Sequence, residues 1–185
     1  AHARLLIEID KSSQQMTVTV DGEVRHQWPV STGTARYDTP GGQYRAIGME
    51  ERHVSKEWDD APMPHAIFFT ERGHAIHGSW EVRRLGSPAS HVCVRLAPTH
   101  AEQLFRLVKA QGLSNTSVML TGEIALAESL LQGAEIPYVV QNALGQSVLG
   151  ISSRDSSIAS IDVKPEFVEA AAELLADLNE GIPAD

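Results

Sequence analysis

The dipeptide Asp21-Gly22 lies between two runs of apolar and polar residues, and this placement constrains the chain more than any other feature. A two-residue type I′ turn needs positive φ at both central positions, which Asp-Gly supplies. Met16-Thr17-Val18-Thr19-Val20 alternates with period two before it, and Val24 to Val30 returns after it. Leu5-Leu6-Ile7-Glu8-Ile9 is a further strand, separated from Met16 by the polar turn Lys11 to Gln15. The first thirty residues therefore predict a three-stranded antiparallel meander.

Residues 31–65 carry Gly33, Pro40, Gly41, Gly42, Gly48, Pro62 and Pro64, which predicts loops around short strands. Ile67 to Thr70 and His74 to His77 read as two more strands, followed by a loop over 78–90. Thr99-His100-Ala101-Glu102 has the form of a capping box. It opens a helix with Ala101, Leu104, Phe105 and Val108 on one face and Gly112 at its end. Ser117 to Leu120 is another strand. The predicted fold class is mostly β (α+β), with one clear helix in a unit spanning 1–122.

The extension over 123–185 reads as mixed α/β. Glu123 to Leu131 is a short helix stopped by Gly133, and Tyr138 to Val140 pairs with Val148 to Ile151 as a hairpin. Ser152 to Ser160 is a polar loop. Pro165 opens a last helix with Phe167, Ala171, Leu174, Leu175 and Leu178 on one face, closed by Gly181.

The net charge of −9, from 15 basic and 24 acidic residues, argues against a nucleic-acid partner and against docking on an anionic membrane surface. No apolar run approaches the ~18 residues of a membrane span. The chain opens Ala1-His2-Ala3 without an initiator methionine, as a processed or trimmed product would.

The chemistry concentrates around Cys93, the one cysteine of the chain, which has no partner for an internal disulfide. A neutral-pH nucleophile needs its thiol deprotonated by a base or its thiolate stabilised by an imidazolium. His77 and His91 are the candidates. His91 stands two residues before Cys93, on the same side of an extended segment, whereas His77 reaches it only through folding. The amides of Val92 and Cys93 are placed to stabilise an oxyanion, and Arg95 to hold a carboxylate. A buried structural thiol is the competing reading, and a zinc site from Cys93, His77 and His91 a third. His74 and His77, three apart on a strand, face opposite ways and do not share a metal. His53, His65 and His100 carry weaker signals. Trp58 and Met63 lie on a stretch that either packs or covers a substrate, and Trp80 follows His77 closely enough to line a cleft.

Ile76-His77-Gly78-Ser79, followed by Gly86-Ser87-Pro88-Ala89-Ser90-His91-Val92-Cys93-Val94-Arg95-Leu96, resembles the L,D-transpeptidase (YkuD) signature. That signature is a histidine–glycine pair, a spacer, then Ser/Thr-His-Gly-Cys, an apolar residue and Arg or Asn. Pro29-Val30-Ser31-Thr32-Gly33 with Thr39-Pro40-Gly41 resembles the family's early glycine-rich turn, and Asp60 to Phe69 its stretch before the histidine strand. The resemblance covers roughly residues 4–122 and does not extend over 123–185.

It implies a β-sandwich-like domain in a periplasmic, exported enzyme whose signal peptide has been removed, acting without cofactor or metal. The implied substrate is the peptidoglycan stem peptide. Cys93 attacks the L,D-bond of a tetrapeptide donor, D-alanine leaves, and an amine resolves the thioester. The acceptor is another stem (a 3→3 cross-link), a protein such as one of the outer membrane, or a D-amino acid. Water as acceptor makes a carboxypeptidase, and loss of turnover leaves a peptidoglycan-binding module. Carried over, His77 is the general base, oriented by the carbonyl of Gly78. Ser90 and His91 support the pocket, Val92 and Cys93 form the oxyanion hole, and Arg95, Trp80 and Met63 meet substrate. One position departs: the family's usual glycine before the cysteine is Val92. An extended Val92 keeps its N–H for the hole. A positive φ, which β-branched residues disfavour, strains or reshapes the loop.

Overall fold

The computed structural model describes residues 4–34, 37, 39–56, 60–142 and 159–176. Strands β1 (Leu5–Asp10), β2 (Gln15–Val20) and β3 (Glu23–Pro29) form the expected antiparallel meander. Asp21 and Gly22 have φ of 48° and 86°, the positive pair that a type I′ turn requires. The other edge of β1 pairs in parallel with β9 (Thr116–Thr121), and β4 (Gly42–Arg45) closes the sheet antiparallel to β9. The sheet order is β3-β2-β1-β9-β4.

A second sheet has the order β5-β6-β7-β8, from β5 (Gly48–Ser55), β6 (Ala61–Phe68), β7 (Ala75–Gly78) and β8 (Val94–Leu96). Here the region expected to hold short strands forms a hairpin of two 8-residue strands. Pro62 and Pro64 are accommodated because β7 pairs only with Ile67 and Phe68, so the prolines' second edge faces no strand. Helix α1 (Pro98–Gln111) packs on β6 and β7. The capping box is not formed: the N-cap is Ala97, with no side-chain cap, and Pro98 supplies the helical φ of the first turn. Ala101, Leu104 and Val108 are buried and Gly112 ends the helix at φ 89°, as the pattern predicts.

The alternating residues Leu5, Ile7, Ile9, Met16, Val18, Val118 and Leu120 bury against Ile67, Ile76, Val94, Leu96 and the apolar face of α1 in one core. Val94 and Leu96 are fully buried, which contributes about 1.5–3 kcal/mol each. Strand β8 is thereby pinned by its core face, and the opposite face presents Arg95 together with Cys93 just ahead of the strand.

A separate cluster holds Ala127, Leu131, Ile136, Ile161, Val163, Ala171 and Leu175. It joins helix α2 (Glu123–Gly133), strands β10 (Tyr138–Asn142) and β11 (Ala159–Val163), and helix α3 (Val168–Leu174). The partner of β10 is β11, antiparallel, so part of the expected polar loop is strand. Residues 148–151, proposed for that role, lie outside the described residues, as do Leu178 and Gly181. The last helix begins as a 3-10 turn at Pro165. Among the described residues no helix is long and apolar enough to cross a membrane.

Candidate active site

Strands β7 and β8 run parallel, with His77 opposite Arg95 and Ile76 opposite Val94. Ile76 and Val94 enter the core, so the other face carries His77, Arg95 and, continuing the alternation, Cys93. These three line one cavity of about 290 Å³ with Met63, Trp80 and His91. The fold thus brings the upstream histidine to the thiol across 16 positions of sequence (93 − 77). Cys93 is half-buried and packs on the small apolar cluster of Met63, Ala66 and Ala75.

His77 is 6% exposed. Its Nδ1 lies 2.8 Å from the carbonyl oxygen of Gly78. A carbonyl only accepts, so Nδ1 carries the proton and Nε2 holds a free lone pair. Burial pushes the pKa down from 6.5 to about 4, with Arg95 and His53 adding repulsion and the Gly78 bond opposing. At neutral pH His77 is therefore a neutral imidazole, able to take a proton. Gly78 keeps its neighbour in place through close packing: a Cβ there would stand 3.1 Å from Pro64 and 3.3 Å from Ala101 and Pro98.

The loop before Cys93 is sewn to Thr32, Thr34 and Tyr37. Ser90 N–H and Ala89 N–H both donate to the Thr32 carbonyl at 3.0 Å, and Thr34 N–H to the Ser90 carbonyl at 3.2 Å. The Ser90 hydroxyl donates to the Cys93 carbonyl. The ring of His91, otherwise exposed, meets Tyr37 edge-on with centroids 4.9 Å apart. Val92 has φ 61°, the one β-branched residue with positive φ among the described residues. The Cys93 N–H donates to the His91 carbonyl at 2.8 Å, so Val92 is the centre of a positive-φ γ-turn.

Residues 4–131 match the YkuD family, the L,D-transpeptidase catalytic domain. The chain belongs to this family. Its structure resembles an L,D-transpeptidase from Mycobacterium smegmatis at 26% identity, covering 64% of this chain and 59% of that one, with a TM-score of 0.58. An L,D-transpeptidase from Stackebrandtia nassauensis is similar at 25% identity, 66% and 57% coverage and a TM-score of 0.57. One from Mycobacterium tuberculosis H37Rv, at 24% identity, 64% and 57% coverage and a TM-score of 0.58, shares the fold. The chain thus spans less than two thirds of the length of these proteins. No curated protein sequence matches it significantly.

Two expectations for this YkuD site differ from the geometry. The amides of Val92 and Cys93 do not point at an empty hole. Val92 N–H donates to the Tyr37 carbonyl at 3.1 Å, and Cys93 N–H is spent inside the γ-turn. Arg95 is likewise engaged, in an ion pair with Glu81, a residue that lies between the two segments of the signature. Trp80 lines the cavity at 65% exposure and Met63 lines it while buried, whereas Trp58 lies outside the described residues.

Sequence reasoning did not single out Tyr37. Its signal was the Gly33 of the early turn: a Cβ there would stand 1.8 Å from the Tyr37 carbonyl oxygen, so only glycine lets that oxygen reach the loop. Among the described residues no cluster of three metal-ligating side chains occurs.

Proposed function

We propose that this YkuD domain is a cysteine-dependent L,D-transpeptidase of peptidoglycan stem peptides. The observation that carries this reading is a neutral, oriented His77 lining the same cavity as Cys93. His77 Nε2 takes the thiol proton, and the thiolate adds to the carbonyl of the L,D-bond of a tetrapeptide donor. Collapse breaks the C–N bond, and D-alanine leaves as an amine with the proton from the imidazolium. A thioester on Cys93 remains. An acceptor amine attacks it, His77 removes the surplus proton, and the thiolate departs. Water in place of the amine makes the reaction a carboxypeptidase cleavage.

Oxyanion stabilisation in this reading needs the Val92 turn to open, so that the two amides exchange the Tyr37 and His91 carbonyls for the substrate oxygen. Their engagement favours a second reading, a peptidoglycan-binding module without turnover. Intact-protein mass spectrometry after incubation with a tetrapeptide donor or a carbapenem-type β-lactam separates the two. The enzyme gives a covalent adduct that vanishes in Cys93→Ala. A wild-type chain that binds the donor and gains no mass is the module.

The exported character of such substrates places the protein in the periplasm in this reading. A division into a catalytic domain and a C-terminal extension rests on the separate apolar cluster of α2, β11 and α3, and the family match over 4–131 carries the catalytic part beyond residue 122 into α2.

A further inference from the structure

Gln14, in the turn between β1 and β2, is 3% exposed and has φ 54°. A glutamine in the left-handed region persists only where its surroundings over-determine it. Here every polar atom of its side chain is committed. Oε1 accepts the Thr32 N–H at 2.9 Å, and Nε2 donates at 2.7 Å to the Thr32 hydroxyl and at 2.7 Å to the Lys11 carbonyl. The Gln14 carbonyl accepts the Val30 N–H at 2.9 Å. Thr32, itself buried, is thus fixed by backbone and side chain at once, and its carbonyl in turn accepts the N–H groups of Ala89 and Ser90. The Ser90 hydroxyl completes the route to the Cys93 carbonyl. One residue earlier, Ser31 exchanges both backbone bonds with Arg95, on the edge of β8 that β7 leaves free. Cys93 therefore stands at the head of a strand held between β7, which bears His77, and the segment that Gln14 grips. Gln14 does not line the cavity, so it reaches the thiol only through these bonds.

We propose that Gln14 is a positioning residue for acylation: through Thr32 and Ser90 it sets the placement of the Cys93 thiol against His77. The proposal rests on the transpeptidase reading and adds to it a residue remote from substrate. Proton transfer from Sγ to Nε2 requires hydrogen-bond reach, and a misplacement of about 1 Å costs up to roughly a hundred-fold in rate. The two strands that bring the pair together are short, β7 with 4 residues and β8 with 3, and they pair only from Ile76–Val94 to Gly78–Leu96. Cys93 lies beyond the end of that pairing. Its position depends on the other edge of β8 and on the loop before it, both of which run to the segment around Thr32. A carboxamide suits this task because it offers one acceptor and two donors in a single plane. A merely structural Gln14 would alter stability and leave the acylation rate of the folded protein untouched.

The test is single-turnover acylation by a carbapenem-type β-lactam, which yields a saturating rate and a half-saturating concentration. It is run on wild type, Gln14→Met, Ser90→Ala and their double variant, at a temperature where circular dichroism shows each folded. Methionine keeps the unbranched shape and the backbone, and removes all three side-chain bonds. In Gln14→Met the saturating rate should fall about ten- to hundred-fold, with the half-saturating concentration within about two-fold of wild type. In the Ser90→Ala background the same substitution should cost less than about three-fold, because the route to Cys93 is already cut. If Gln14→Met does not fold, Thr32→Val, which removes one of the three bonds, decides: it should show the same pattern at about three- to ten-fold. An unchanged saturating rate in the folded variant, a loss confined to the half-saturating concentration, or losses that add fully in the double variant overturns the proposal while the transpeptidase reading stands. A wild type that forms no adduct with this reagent or with a tetrapeptide donor overturns both.

Discussion

The Val92 N–H donates to the carbonyl of Tyr37 at 3.1 Å, from a residue whose φ is 61°. The bond ties the nucleophile loop to the early glycine-rich turn, and it uses an amide that acyl transfer would direct at substrate. A valine in the left-handed region costs roughly 1–2 kcal/mol. The loop keeps that conformation because Thr32, Thr34, Tyr37 and His91 hold its backbone on both sides.

Val92→Gly should therefore slow acylation. The left-handed penalty sits on the resting turn, which must open to free the Val92 N–H, and glycine removes that penalty from the closed state. The loss should be about five- to thirty-fold in the second-order rate of β-lactam acylation, the range corresponding to ~1–2 kcal/mol. Stopped-flow mixing reads it directly. An unchanged or faster rate would mean that opening of this turn is not what limits the oxyanion site.

His77 should set a pH dependence of stability with a defined sign. Its folded pKa is lowered to about 4 from 6.5, so between these values the unfolded chain binds more protons than the folded one. The contribution is fully present above pH 6.5, falls as pH drops through the window, and is gone below about 4. Its size is of the order of 3 kcal/mol. Urea midpoints measured from pH 7 to 4 should decline more steeply in wild type than in His77→Gln. The same shift predicts that the acid limb of kcat/KM for acylation lies well below the usual histidine range.

Lys11 is fully buried and donates from Nζ to the Thr39 carbonyl at 2.7 Å. Thr39 Oγ1 in turn accepts the Gly33 N–H at 2.8 Å, in the segment that delivers the Tyr37 carbonyl to Val92. Lys11→Met keeps the apolar stem and orphans the carbonyl, at a cost of about 1–3 kcal/mol. Chemical denaturation should show this loss. Proton exchange at the Val92 amide should also quicken by more than at core amides such as Ile7, because the clamp loosens before the fold does.

The meander was legible because Asp21-Gly22 and period-two alternation are local signals, and so was α1, whose buried stripe recurs at helical spacing. The β5–β6 hairpin was not, since Pro62 and Pro64 read as breakers until β7 is known to stop short of them. Nor was the pairing of β10 with β11, which crosses residues that carry no periodic pattern. At the site, Cys93 was legible as a lone thiol with His77 and His91 as candidate bases, and the Gly78 carbonyl only through the family resemblance of the residues around it. The engaged amides and the Arg95–Glu81 pair were not, because both depend on where Tyr37 and Glu81 come to rest in three dimensions.

Glu81 holds Arg95 at the wall of the first cavity, with side chains 55% and 20% exposed. The pair is partly solvated, so its net worth is about 0.2–1 kcal/mol, and a substrate carboxylate competes with Glu81 for the guanidinium. Glu81→Gln should release Arg95 and lower the KM for a tetrapeptide donor about two- to five-fold at low ionic strength, with kcat little changed. Arg95→Gln should raise that KM, and combining the two substitutions should give no further gain from Glu81→Gln. Steady-state release of D-alanine from a defined donor measures all three variants. A KM that stays fixed in Glu81→Gln would assign Arg95 to holding the cavity wall rather than the substrate.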